Sequence, residues 1–259
     1  MKKTIAMILS ILMILSCFAG CGSKSDSDLA YIKDKGKLIV GITDYAPMDY
    51  KDENGNWTGF DAEFAQLVAK ELGVEVEFFV IADWSKKVFE LDSKNIDCIW
   101  NGMTINEELK NTTSVSDPYV INAQVVVMKA DAVANYADTA SLADLTFAAE
   151  NGSAGQTAAQ DIGVKNVVAV GDQGAALMEV AAGTADACVI DITMAEAMTG
   201  EGTSYADLAI GLTLTSEEYG IGFRKGSDIT AKVNEIMAKF MNDGTLAALA
   251  AKYELTLAK

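Results

Sequence analysis

Histidine is absent from this chain of 259 residues. That excludes Ser-His-Asp and Cys-His nucleophilic catalysis, and every zinc site that needs an imidazole. Arginine occurs once, at Arg224, so a bidentate clamp on a carboxylate or phosphate is available at a single place. Two prolines leave little room for rigid linkers, and 21 glycines supply the turns instead. Basic charge is scarce: 20 Lys and Arg stand against 37 Asp and Glu, a formal charge of −17. Such a surface repels phosphate backbones, so nucleic acid is not an expected partner. With half its residues hydrophobic and 22% charged, the chain can bury the core of one large α/β domain or of two ordinary lobes.

The amino terminus reads as an address. Met1-Lys2-Lys3 is a short positive segment, and the apolar run Ile5 to Leu15 falls short of the roughly 20 residues a membrane span needs. Phe18-Ala19-Gly20 then places small residues before Cys21, and Gly22 to Asp28 is polar. This resembles a bacterial lipoprotein signal. It implies a cleaved leader over 1–20, lipidation at Cys21 and a tether over 21–29. The mature chain would be held on the outer face of the cytoplasmic membrane. Cys98 and Cys188 lie in short apolar runs and are expected to be buried structural thiols.

From Lys37 onward, strand and helix patterns alternate. Leu38 to Ile42 is an apolar run of strand length. Phe60, Phe64, Leu67, Val68 and Leu72 share one helical face, with Asp61 as a candidate cap and Gly73 as the stop. Further strands are expected at Val74–Phe78, Ile96–Trp100, Gln124–Met128, Thr146–Ala149, Val167–Val170 and Ala187–Ile190. Helices are expected around Lys86–Leu91, Ala175–Ala182, Ile229–Phe240 and from Thr245 to about Lys252. Such alternation predicts parallel sheets covered by helices, with ligands beyond the carboxyl ends of the strands. The segments 43–50, 83–85, 100–106, 150–156 and 191–193 are therefore the candidate site.

Those segments resemble the polar amino acid family of bacterial solute-binding proteins (family 3), the receptors of ATP-driven importers. The resemblance rests on Leu38-Ile39-Val40-Gly41, Thr58-Gly59-Phe60-Asp61, Asn101-Gly102-Met103-Thr104, Ser116-Asp117-Pro118-Tyr119, Gly183-Thr184-Ala185-Asp186 with Asp191, and Tyr219-Gly220-Ile221-Gly222-Phe223-Arg224. It implies a two-lobed α/β fold of the type II periplasmic-binding-protein kind. Lobe one would comprise 30–125 plus 220–259 and lobe two 126–219, with hinges near Val125–Val127 and Glu218–Gly220. The implied molecule is a monomeric binding protein and not an enzyme. Its partners would be a small-molecule ligand, ABC permease subunits and, through its lipid, the membrane, with no cofactor and no metal.

By the same resemblance, Asp191 binds the ligand ammonium, and Tyr45 and Trp84 sandwich the ligand. Asn101, Gly102, Met103 and Thr104 offer backbone and hydroxyl groups, and Gly152-Ser153-Ala154 offers amides at a helix start. Asp44, Glu150 and Glu218 align at or beside the cleft. The chain departs from the family at Leu109, which stands where an arginine usually grips the ligand carboxylate, and Arg224 falls outside the cleft. An acidic cleft without that arginine predicts a polar or basic amino acid or a related amine, with any carboxylate held by amides at Thr104 and Ser153. Two other functions fit the same scaffold: a ligand sensor without an importer, and a dehydratase-like enzyme.

Overall fold

The computed structural model describes residues 27–259. The expected leader, Cys21 and most of the tether lie outside the described residues. The end of the expected tether is helical: Ser27 accepts the Ala30 N–H and caps the helix Asp28–Lys35, which Gly36 closes in the left-handed conformation.

Two five-stranded sheets organise the chain. The first has the spatial order Glu75–Val80, Lys37–Ile42, Cys98–Ile99, Gly222–Arg224, Thr113–Val115. The second has the order Asn166–Val170, Thr146–Glu150, Ala187–Asp191, Gln124–Lys129, Leu208–Thr213. Strands joined through helices pair in parallel, as the alternation predicts. The all-parallel expectation needs one correction per sheet. Gly222–Arg224 and Gln124–Lys129 each run antiparallel to both neighbours. Both are the first strands after the chain has crossed from the other sheet, so no helix turns them round. The crossings, Val120–Asn122 and Glu217–Tyr219, pair with each other. Val120–Asn122 lies just before the first hinge expected from the sequence, since Val125, Val126 and Val127 are already buried within the second sheet, and Glu217–Tyr219 overlaps the second.

The helix Ile229–Asn242 buries Ile229, Val233, Ile236, Met237 and Phe240, the stripe its sequence shows. Each such side chain contributes about 2 kcal/mol of apolar burial before chain entropy is subtracted. The helix Phe60–Leu72 packs Phe64 edge-on against Trp100, centroids 4.8 Å apart. Asp61 is not its cap. Gly59 holds that position, and Asp61 points inward to accept the Gly102 N–H at 2.6 Å and the Tyr119 hydroxyl at 2.8 Å. Cys98 and Cys188 are free and buried in different sheets. Among the described residues no helix is long and apolar enough to cross a membrane.

Candidate functional site

The strand ends of both sheets face one cavity of about 380 Å3, lined among others by Trp84, Lys87, Asn101, Thr104, Glu150 and Asp191. That volume lies within the usual ~300–1,000 Å3 range of small-molecule sites and suits a single compact solute. Of the expected residues, Trp84, Asn101, Gly102, Met103, Thr104, Glu150, Gly152, Ser153, Ala154 and Asp191 line it.

Asp191 ends the strand Ala187–Asp191 and occupies the N-cap position of the helix Ile192–Met198 without making a side-chain cap bond. Its carboxylate accepts instead from the amides of Asn122, Gln124 and Gln173, and its own N–H donates to Gln173 Oε1 at 2.9 Å. Burial raises its pKa to about 7, with the nearby charge of Glu217 adding and the amides of Gln173 and Gln124 opposing. Glu150 is 3% exposed, and its Oε1 has no hydrogen-bond partner. Burial, then the charges of Asp191 and Asp172, raise it to about 8, while Lys87 opposes them. Two carboxyl groups thus share a cavity in which neither is fully neutralised.

Three expected residues lie elsewhere, each for a definable reason. Tyr45 is buried, and its hydroxyl is shared with Thr193 Oγ1 at 2.5 Å and with Tyr219. It joins one half of the molecule to the other and does not face the cavity. Asp44 is exposed and outside the lining, and its carboxyl is raised by partial burial and by Asp172. Glu218 sits opposite Ile121 in the paired crossings, on the face away from the cavity. Side chains alternate along a strand, so it is Glu217, opposite Asn122, that turns inward. Glu217 Oε1 accepts from Thr104 Oγ1, Asn122 Nδ2 and Gln124 Nε2, all at 2.7 Å.

Other groups are present but partly engaged. The Asn101 side chain is tied to Thr43, accepting its N–H and donating to its hydroxyl. Thr104 spends its hydroxyl proton on Glu217, whereas Ser153 Oγ accepts the Gln156 N–H and keeps its own proton to donate. Leu109 lines the cavity but is 6% exposed and packs in an apolar cluster with Trp84 and Met103. Arg224 is far from it, donating to Asp28 and to the carbonyls of Leu91 and Ile96. Sequence reasoning missed Lys87, Asn122, Gln124, Gln173 and Glu217. The signal for Asn122 and Gln124 was two amides inside an otherwise apolar stretch.

The halves meet closely around the cavity. Lys87 Nζ donates to the Gly152 carbonyl at 3.0 Å, and Asn151 Nδ2 donates to Asp83 at 3.2 Å. A Cβ on Gly152 would stand 2.7 Å from the Ser85 Cα, and its φ of +73° is itself unfavourable for a side chain. Gly152→Ala is expected to prop the cavity open and weaken ligand binding about tenfold, with a stability loss near 1 kcal/mol. Calorimetry beside thermal melting checks both values.

Residues 38–256 match the family model described as bacterial extracellular solute-binding proteins, family 3. The chain belongs to this family. Its members are non-catalytic, extracytoplasmic ligand-binding proteins of ABC importers, built on the two-lobed fold described above. The chain is 31% identical over 252 residues to the L-cystine-binding protein TcyJ of Escherichia coli (strain K12), covering 93% of this chain and 92% of that one. It is 30% identical to the arginine-binding extracellular protein ArtP of Bacillus subtilis, covering 98% of each. Among solved structures, a mutant of ArgBP from T. maritima superposes with a TM-score of 0.81 at 33% identity, over 87% of this chain and 98% of that one. An ancestral amino acid-binding protein, a precursor of cyclohexadienyl dehydratase, gives 0.80 at 32%, over 88% and 99%.

Proposed function

We propose that this family member captures a basic or polar amino acid, or a related amine, and hands it to an ABC permease. The observation that carries the reading is the pair of buried carboxyl groups, Asp191 and Glu150, in one small cavity, with one of them lacking any partner for an oxygen. The ligand ammonium sits on Asp191, and Trp84 supplies an apolar wall. The two halves, one built on each five-stranded sheet, act as lobes that close on the ligand through the paired crossings Val120–Asn122 and Glu217–Tyr219. Cys21 carries the lipid that keeps the monomeric receptor at the membrane. Relatives named for cystine, arginine, glutamine and histidine are consistent with an amino acid as cargo.

Calorimetry and thermal shift against arginine, lysine, histidine, glutamine, cystine and glutamate test this. A ligand present at 100 times its Kd raises stability by about 2.7 kcal/mol. Basic or neutral polar amino acids should do so, and a response to glutamate alone would overturn the charge reading.

The raised carboxyl groups also predict a pH dependence. A cation favours the ionised forms, so binding near pH 7 should expel protons, and affinity should rise from about pH 6 to pH 8 as Asp191 and Glu150 ionise. Without ligand the sign is opposite. Both groups hold protons in the folded protein that the unfolded chain releases near pH 4, so stability falls as pH climbs from there to about 8. Calorimetry in buffers of different ionisation heat measures the proton count.

A further inference from the structure

The cavity is lopsided in charge. Glu108, Glu150 and Asp191 line it, and the one cationic side chain among its lining residues is Lys87. Lys87 opens the helix Lys87–Asp92 directly after the 3₁₀ turn that carries Trp84, which holds its ammonium 4.9 Å from a Trp84 ring centroid. The ammonium donates to two carbonyls, Trp84 at 3.3 Å and Gly152 at 3.0 Å. Lysine has three N–H donors. The third has no partner among the described residues, and Lys87 forms no ion pair there. Burial lowers the pKa of this lysine, and only the more distant charges of Glu150, Glu108 and Asp83 oppose that.

The placement is specific. Gly152 and Ser153 lead into the helix Ala154–Asp161, so the ammonium stands beside that helix's first turn, where free amides and the helix dipole also favour an anion. Leu109 cannot provide such a group, and Arg224 is committed elsewhere. We propose that Lys87 is the carboxylate-recognising residue of this site, holding the ligand carboxylate between its ammonium and the first-turn amide of Ala154, since the Ser153 N–H already donates to the Glu150 carbonyl, while Asp191 holds the ligand ammonium. This assignment rests on the amino acid reading above, which it narrows: the cargo carries a carboxylate and is not a bare amine.

The test compares amino acids with their decarboxylated counterparts by calorimetry: arginine with agmatine, lysine with cadaverine, cystine with cystamine. The wild type should prefer the amino acid of a pair. Lys87→Met should weaken that amino acid by about 10–100-fold, the range of a charged hydrogen bond, towards the level of the amine, whose own affinity stays within about threefold. Lys87→Arg should restore the preference, and thermal melting of all three proteins controls for folding. Equal losses for acid and amine, or no loss in Lys87→Met, would overturn the role of Lys87 while leaving the amino acid reading standing. A wild type that binds amines but no amino acid would overturn the carboxylate assignment. A wild type that binds no member of any pair would overturn both readings.

Discussion

Asp191→Asn should lose at least ~100-fold in affinity for a cationic or zwitterionic ligand while the ligand-free protein melts close to the wild type. The substitution keeps volume and removes only the charge. Breaking a buried, hydrogen-bonded ion pair costs about 3–5 kcal/mol, and each 1.4 kcal/mol is tenfold in Kd. Stability should change little because the ligand-free carboxyl is already held up near pH 7 by burial and by Glu217, so losing the charge relieves a desolvation penalty. One new strain opposes that gain: the Asn oxygen can take the place of Oδ1 and accept from Asn122 and Gln124, but its NH2 then faces the Gln173 Nε2 that donates to Oδ2 in the wild type. Calorimetry and thermal melting separate the two effects. Unchanged affinity would place the ammonium elsewhere, with Glu150 as the next carboxylate to replace.

Arg224→Met should cost about 3–5 kcal/mol of stability and leave the Kd nearly unchanged. Arg224 is 9% exposed, and all three guanidinium nitrogens are engaged. Its Nε donates to both oxygens of Asp28, its Nη1 to the Leu91 and Ile96 carbonyls, and its Nη2 lies 3.4 Å from Asp97. Methionine fills much of the volume but strands a buried carboxylate and two carbonyls. Asp97 keeps Lys35 at 2.5 Å and the Ile39 N–H at 2.7 Å, so Asp28 suffers most. The helix Asp28–Lys35 should therefore loosen first, visible as faster amide exchange there. Arg224→Lys cannot reproduce the fork and should fall between the two. Urea denaturation gives the magnitude, and a neutral result would mean that the ion pair only balances its own desolvation.

The two outcomes separate the chain's polar residues by task. Arg224 and its partners are closed on themselves, with each guanidinium nitrogen engaged, whereas Glu150 and Lys87 retain unmatched capacity facing a cavity. Unmatched buried polarity is costly in a finished core and useful where a ligand supplies the missing partner.

Much of this was legible in the residues, and the exceptions share a cause. The stripe from Ile229 to Phe240 declares its helix because burial on one face dictates its period, and the unbroken apolar run Leu38–Ile42 declares a buried strand by its length. The strand Cys98–Ile99 is too short to define a period, and the expected run Ile96–Trp100 overstated it. Lys87 passed unnoticed because a lysine on a short helix reads as a solvated face. Only the packing of Trp84 beneath it and Gly152 across from it sets its ammonium in the cavity. Glu217 and Glu218 are the same residue type one position apart, and pairing with Asn122 rather than Ile121 sends one inward and the other out.

By itself the sequence determined the α/β alternation, the absence of histidine chemistry, the acidic balance, the departure at Leu109 and most of the strand-end segments that line the cavity. Each is a property of residue type or of local period, which the chain carries wherever it goes. Tertiary structure alone decided that Tyr45 joins the two halves, that Asp191 is held by three amides, and that a single lysine meets the cavity from above Trp84. Tyr45 with Thr193, Asn122 with Asp191 and Lys87 with Gly152 are contacts between residues dozens of positions apart, and they exist only once the two halves have been brought together.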